Sequence, residues 1–178
     1  MAYITGAQTN LILKQATTYG TAVQGGAGDK LIVEGINPSI STTIGETNAI
    51  GAGLSMQTDA DKLREDFALS ITQQARYDDA GISRVMALFL GAVTAPAEQN
   101  VGEGDYLHNA YFSATATKFA TCAFNSDTAG VFEYPSVYPV SINITSGQTP
   151  GYLQYVAQFL ANDQDITSTV NDTASLAA

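Results

Sequence analysis

The residues able to do chemistry in this chain are few and scattered. Cys122 is its only cysteine and His108 its only histidine. A thiol nucleophile would need that histidine as its base. Cys122 instead lies among Phe119, Ala120, Ala123 and Phe124, an apolar strand context that predicts an inert buried thiol. One histidine and one cysteine make no zinc site without carboxylates, and no ligand spacing supports one. Asp59, Asp61, Glu65 and Asp66 are dense enough to suggest calcium. The EF-hand pattern fails there, because Leu63 stands at its fifth position and no glycine follows at the sixth. A solvated acidic turn is the better reading, and Asp163 and Asp165 are read the same way. Gly25-Gly26-Ala27-Gly28-Asp29-Lys30 lacks the Gly-Lys-Ser/Thr end of a phosphate-binding loop. No Gly-x-Ser-x-Gly elbow is present. These absences agree on a non-enzyme with no cofactor and no metal.

Asp78 and Asp79 have a simpler use. They follow a strand-like run, Glu65 to Arg76, in which Phe67, Leu69 and Ile71 alternate with Asp66, Ala68, Ser70 and Thr72. They precede Ile82, Val85, Met86, Phe89 and Leu90, whose spacing puts one apolar stripe on a helix over about residues 79–90. Either aspartate can cap that helix, and Gly91 stands where a left-handed C′ residue belongs. The stripe is expected to pack on a β core.

The composition shapes what surrounds this unit. Of 178 residues, 45% are hydrophobic and only 13% are charged, about half the usual share of charge. The net charge is −10. The seven bases, Lys14, Lys30, Lys62, Arg64, Arg76, Arg84 and Lys118, form no stripe, which disfavours binding to nucleic-acid backbones or anionic membranes. The opening Met-Ala-Tyr-Ile-Thr-Gly resembles no secretory signal. No apolar run is long enough to span a membrane as a helix. Asn143-Ile-Thr and Asn171-Asp-Thr are read as chance matches to the glycosylation pattern.

Residues 1–29 read as an N-terminal arm with an adhesive patch at Leu11, Ile12 and Leu13, or as a strand followed by a disordered linker. Residues 30–178 read as a single β domain. Strands are expected over Lys30–Ile36 and Ser39–Ile44, separated by Asn37-Pro38, with a bulge near Gly35. Residues 45–63 read as one long connection. A structureless loop of that length is uncommon in a compact domain unless it is functional, and Ile50, Leu54 and Met56 suit docking on a neighbouring subunit. After the helix, strands are expected over Leu107–Ala114, Lys118–Phe124, Gly130–Tyr134, Val137–Thr145 and Tyr152–Ala161, with a last one around Ile166–Val170. Short strands at this spacing imply an antiparallel sandwich or barrel with one flanking helix. Its edges would be poorly guarded, because charge is scarce. Nine tyrosines and seven phenylalanines could suggest a sugar-binding face, but strand composition explains them without a ligand.

A resemblance enters on particular residues: Gly6-x-x-Thr9-x-Leu11 followed by Thr18-Tyr19-Gly20-Thr21-Ala22, then Arg76-Tyr77-Asp78-Asp79, Leu88-Phe89-Leu90-Gly91, Tyr134-Pro135 and Pro139-Val140-Ser141-Ile142. Taken in order, these segments resemble the major tail tube proteins of long-tailed bacteriophages. The resemblance implies a structural virion protein made in the bacterial cytoplasm. It implies homo-oligomeric rings, usually hexameric, stacked into a hollow tube that conducts DNA without binding it specifically. Other tail proteins (tape measure, terminator and tip) are implied as partners. Contacts between subunits would fall on Leu11, Ile12, Leu13, Tyr19, Ile50, Leu54 and Met56. Surplus acids would line the lumen. The competing readings are another virion β protein, such as a capsid decoration or head–tail joining protein, and a carbohydrate-binding module.

Overall fold

In the computed structural model the described residues are 11–47, 59–75, 81–93, 97–100, 102–104, 106–107, 109–114, 118–126, 130–146, 153–172 and 176. In chain order they form β1 (Leu11–Gln15), a 3-10 turn at Ala27–Asp29, β2 (Lys30–Leu31), β3 (Gly35–Thr47) and β4 (Asp59–Gln74). Next come α1 (Gly81–Leu90), β5 (Gly91–Val93), β6 (Ala97–Glu98), β7 (Tyr106–Leu107) and β8 (Ala110–Phe112). The chain then forms β9 (Ala120–Ser126), β10 (Gly130–Ser146) and β11 (Leu153–Ala161).

Seven strands make one sheet in the order β2-β1-β9-β10-β11-β4-β3. Every neighbouring pair is antiparallel. Among the described residues the architecture is mainly β with one α-helix, as the patterning predicts. Among the described residues the sheet does not close into a barrel: β2 and β3 are its edges. Two small ladders, β5–β8 and β6–β7, complete the described strands.

The period-2 residues of β4 set the core face. Phe67, Leu69 and Ile71 are buried there. Their partners across the ladder, Ala161, Phe159 and Ala157, extend the same face. Leu11 and Leu13 of β1, Cys122 and Phe124 of β9, and Tyr134 and Val137 of β10 join the same cluster. α1 adds Val85 and Leu88, with Ile82 and Phe89 packed against the cluster. Met86 and Leu90, expected on the same stripe, are half-buried. Gly91 has φ +93°, the left-handed conformation that ends a helix at little cost only in glycine. The expected caps Asp78 and Asp79 lie outside the described residues.

Residues 11–13 form no adhesive patch on an arm. Leu11, Ile12 and Leu13 are fully buried within their own chain. β1 is flanked by β2 and β9, so residues 11–15 belong to the sheet. Leu11 and Leu13 face the main core. Ile12 points to the other face, into a second cluster with Ala123, Val131 and Leu176. A strand buried on both faces has no reason to alternate, so its sequence is a plain apolar run.

The terminal segment holds this second cluster in place. Gly25 N–H donates to Asn171 Oδ1 at 2.8 Å. Asn171 Nδ2 donates to Val23 O at 3.1 Å and to buried Glu133 at 2.5 Å. The strand expected over Ile166–Val170 is not formed. Asp165 makes a single bridge to Glu133, and its carboxylate then accepts from the Thr167 N–H and hydroxyl. Such an Asx turn offers the backbone an alternative to a ladder, and exposed Ile166 gains nothing from strand pairing.

Three boundaries also move. Asn37-Pro38 does not divide two strands, because β3 is an edge strand and needs no N–H on its free side. Its irregularity falls at Thr43/Ile44 and not near Gly35. Gly130–Tyr134 and Val137–Thr145 fuse into β10, with a register shift at Tyr134/Val137 absorbing Pro135. The connection expected over 45–63 is narrower. Gly45, Glu46 and Thr47 pair with Asp61, Ala60 and Asp59, so the ends of that stretch extend a β3–β4 hairpin.

Candidate assembly surfaces

Among the described residues β3 is a thirteen-residue edge strand paired on one side only. Its residues 37–44 are exposed, including Ile40 at 51% and Ile44 at 59%. Between Gly35 and Thr47 the only charged residue is Glu46. Soluble proteins blunt such edges with lysine, short length or a covering element; β3 has length, apolar side chains and no lysine. The opposite edge, β2, has two residues.

The face of the sheet turned away from the core is poor in charge and mixes polar residues with exposed Tyr138, Val140 and Leu160. Ser70 and Thr72 of β4, Gln158 of β11 and Ser141 and Asn143 of β10 lie on it by register. Ser141 donates to Gln158 at 2.9 Å. A shallow depression of about 290 Å³ runs over this face beside Asn37, Ser39, Ser70, Val140 and Leu160.

A different arrangement stands near the other edge. Asp29 at the end of the 3-10 turn is buried. It accepts from Lys14 Nζ at 2.9 Å, from Gly26 N–H at 3.0 Å, and from Arg84 Nη1. Arg84 also donates to the carbonyls of Leu13 (3.3 Å) and Gly28. The guanidinium thereby joins α1, β1 and the 3-10 turn. A cavity of about 380 Å³ opens here, lined by Leu13, Lys14, Gln15, Asp29, Arg84, Ala87 and Leu88. Burial alone would raise the Asp29 pKa. The bonds from Lys14, Arg84 and Gly26 outweigh it and hold the carboxyl at about 2.

A depressed carboxylate pKa stabilises the fold above its unfolded value, near 3.8, and that contribution disappears as pH falls through about 2. The difference amounts to roughly 2 kcal/mol. Asp29→Asn is therefore expected to lower the urea midpoint at pH 7, and the gap from the wild type should close between about pH 4 and pH 2. Midpoints measured across that range check it; a gap independent of pH contradicts the ion-pair account.

The other residues singled out by type fall apart in space or become structural. Cys122 is fully buried, and its thiol pKa is pushed far up by that burial. Tyr134 is pushed up to about 12 by burial and the adjacent Cys122, against a hydrogen bond from Gln164. His108 lies outside the described residues. Among the described residues no group of three or more His, Cys, Asp or Glu could hold a metal ion. Asp163 and Asp165 serve local turns. Of the expected subunit contacts, Tyr19 is 65% exposed and stands edge-to-face with Phe119, at 5.7 Å between ring centroids. Leu11, Ile12 and Leu13 are unavailable for such contacts, because they are core. Ile50, Leu54 and Met56 lie outside the described residues. The Lys14–Asp29–Arg84 arrangement had no sequence signal, since its members are 15 and 55 residues apart.

No protein-family model matches the chain, and no curated protein sequence matches it. Solved structures do match in fold. A chain of the virion of a native gene transfer agent particle superposes with a TM-score of 0.52 at 11% identity, covering 93% of this chain and 100% of that one. A chain from the tail of an empty gene transfer agent particle, refined helically with C6 symmetry, gives 0.51 at 11% identity over 89% and 96%. A chain of the sheath/tube terminator of an extracellular contractile injection system gives 0.53 at 7% identity over 93% and 96%. The likeness in fold to proteins of tails and tube-bearing machines runs through nearly the whole chain.

Proposed function

We propose that this chain is a structural subunit of a tail tube, assembling head to tail into rings, hexameric by preference, that stack around a DNA-conducting lumen. The observation that carries this reading is the β3 edge: thirteen residues, one charge, two exposed isoleucines and no covering strand among the described residues. A second copy is the natural cover, because sheet edges of this kind pair with other chains. The fold likeness to a tail solved with C6 symmetry supports the ring.

The charge is consistent with conduction. A chain of net charge −10 has little to retain a passing phosphate backbone. Surplus acids facing the lumen would repel DNA, and their neutralisation should slow its ejection. The segment around Ile50, Leu54 and Met56 is assigned to contacts with the next ring, as is exposed Tyr19. The tube would belong to a virion, made in a bacterial cytoplasm with other tail proteins as its partners. Its work is mechanical, without catalysis or a cofactor.

A second reading has one observation of its own. The likeness to a sheath/tube terminator would suit a subunit that forms one closing ring. Light scattering on concentrated protein separates the two: masses growing without limit favour the repeating subunit, and a single ring species favours the terminator. A strict monomer of 18.6 kDa at every concentration overturns both.

A further inference from the structure

We infer that the Lys14–Arg84 pocket receives a carboxylate from a second copy of this chain, supplied by the acidic end of that copy's β3–β4 hairpin. The inference rests on the homotypic assembly proposed above and names where one contact falls.

The pocket carries a surplus of positive charge. Lys14 and Arg84 face one carboxylate, Asp29, so one positive charge has no counter-ion among the described lining residues. This occurs in a chain with 17 acids and 7 bases. Arg84 uses Nη1 and Nη2 within its own chain, while its buried Nε has no partner. Lys14 Nζ has three donors, and Asp29 accepts from it. Leu13, Ala87 and Leu88 supply an apolar wall, which lowers the local dielectric and strengthens any pair formed there. An arriving carboxylate would meet two cationic donors, the arrangement that gives the stronger class of hydrogen bond.

The same chain carries the complementary group. The paired end of the β3–β4 hairpin holds Glu46, Asp59 and Asp61 with a single base, Lys62. Within one chain the two places are apart. β9, β10 and β11 lie between β1 and β4, four inter-strand steps or about 19 Å. A donor on one side of the sheet and an acceptor on the other make a heterologous contact, which propagates into rings or helical stacks.

The test uses the full chain, half of it grown with heavy nitrogen, assembled and then treated with a carbodiimide. This reagent condenses a lysine amine only with a carboxylate it touches. Mass spectrometry should find Lys14 joined to Glu46, Asp59 or Asp61 in mixed light–heavy peptide pairs, in the assembled fraction and not in the monomer. Assemblies whose Lys14 joins only Asp29 of its own chain overturn this inference and leave the tube reading standing. Assembly driven by an added inorganic anion, without these cross-links, overturns it also. Failure to assemble at all overturns both. Separately, the triple variant E46Q/D59N/D61N should keep the monomer's melting temperature and raise the critical concentration for assembly at least about tenfold, in line with the loss of desolvated charge pairs. An unchanged critical concentration contradicts the docking.

Discussion

Leu13→Ala is expected to lower the stability of the monomer by about 2–5 kcal/mol. Leu13 is 1% exposed and packs in the main core cluster. Its removal leaves a cavity between β1 and α1, and the surrounding strands relax only in part. Leu11 and Ile12 share this status, so Ile12→Ala should behave alike through the second cluster. The measurement is urea unfolding of dilute, monomeric protein. A near-zero change in stability together with lost assembly would restore the reading of residues 11–13 as an external arm. The burial on both faces of β1 predicts the opposite order: the fold weakens first, and assembly suffers only because the fold has.

Ile40→Lys combined with Ile44→Lys is expected to do the reverse. Both side chains are more than half exposed on the free strand β3. Replacing them should change monomer stability by less than about 0.5 kcal/mol each, as surface substitutions usually do. Assembly requires those positions to lose water, and an ammonium group buried against a neighbour without a partner costs several kcal/mol. The critical concentration should then rise by about a hundredfold or more, equivalent to some 3 kcal/mol. Sedimentation of the variant beside the wild type reads this directly. Full assembly by a folded double variant would remove β3 from the interface.

Much of the fold was legible in the chain. The alternation Phe67, Leu69, Ile71 and the helical stripe through Ile82, Val85 and Phe89 each announced an element, because each buries one face and leaves the other wet. β1 gives an ambiguous signal for the opposite reason. Leu11-Ile12-Leu13 is buried on two faces, and a three-residue apolar run looks the same whether it enters a core or an interface. Pro38 looked like a break because edge position is a property of the sheet, not of the dipeptide. The polar links were invisible: Asn171 meets Gly25 across 146 residues, and Arg84 meets Asp29 across 55. Only the topology brings such groups together. The low charge, by contrast, is visible in a particular element, for β3 is a long edge strand with Glu46 as its only charged residue.

Electron microscopy of the concentrated wild-type chain tests the central claim most directly. The account predicts hollow tubes of stacked rings, with the density of β3 from one subunit continued by a strand of its neighbour. Particles that remain monomeric, or that form contacts leaving β3 bare to solvent, would contradict it.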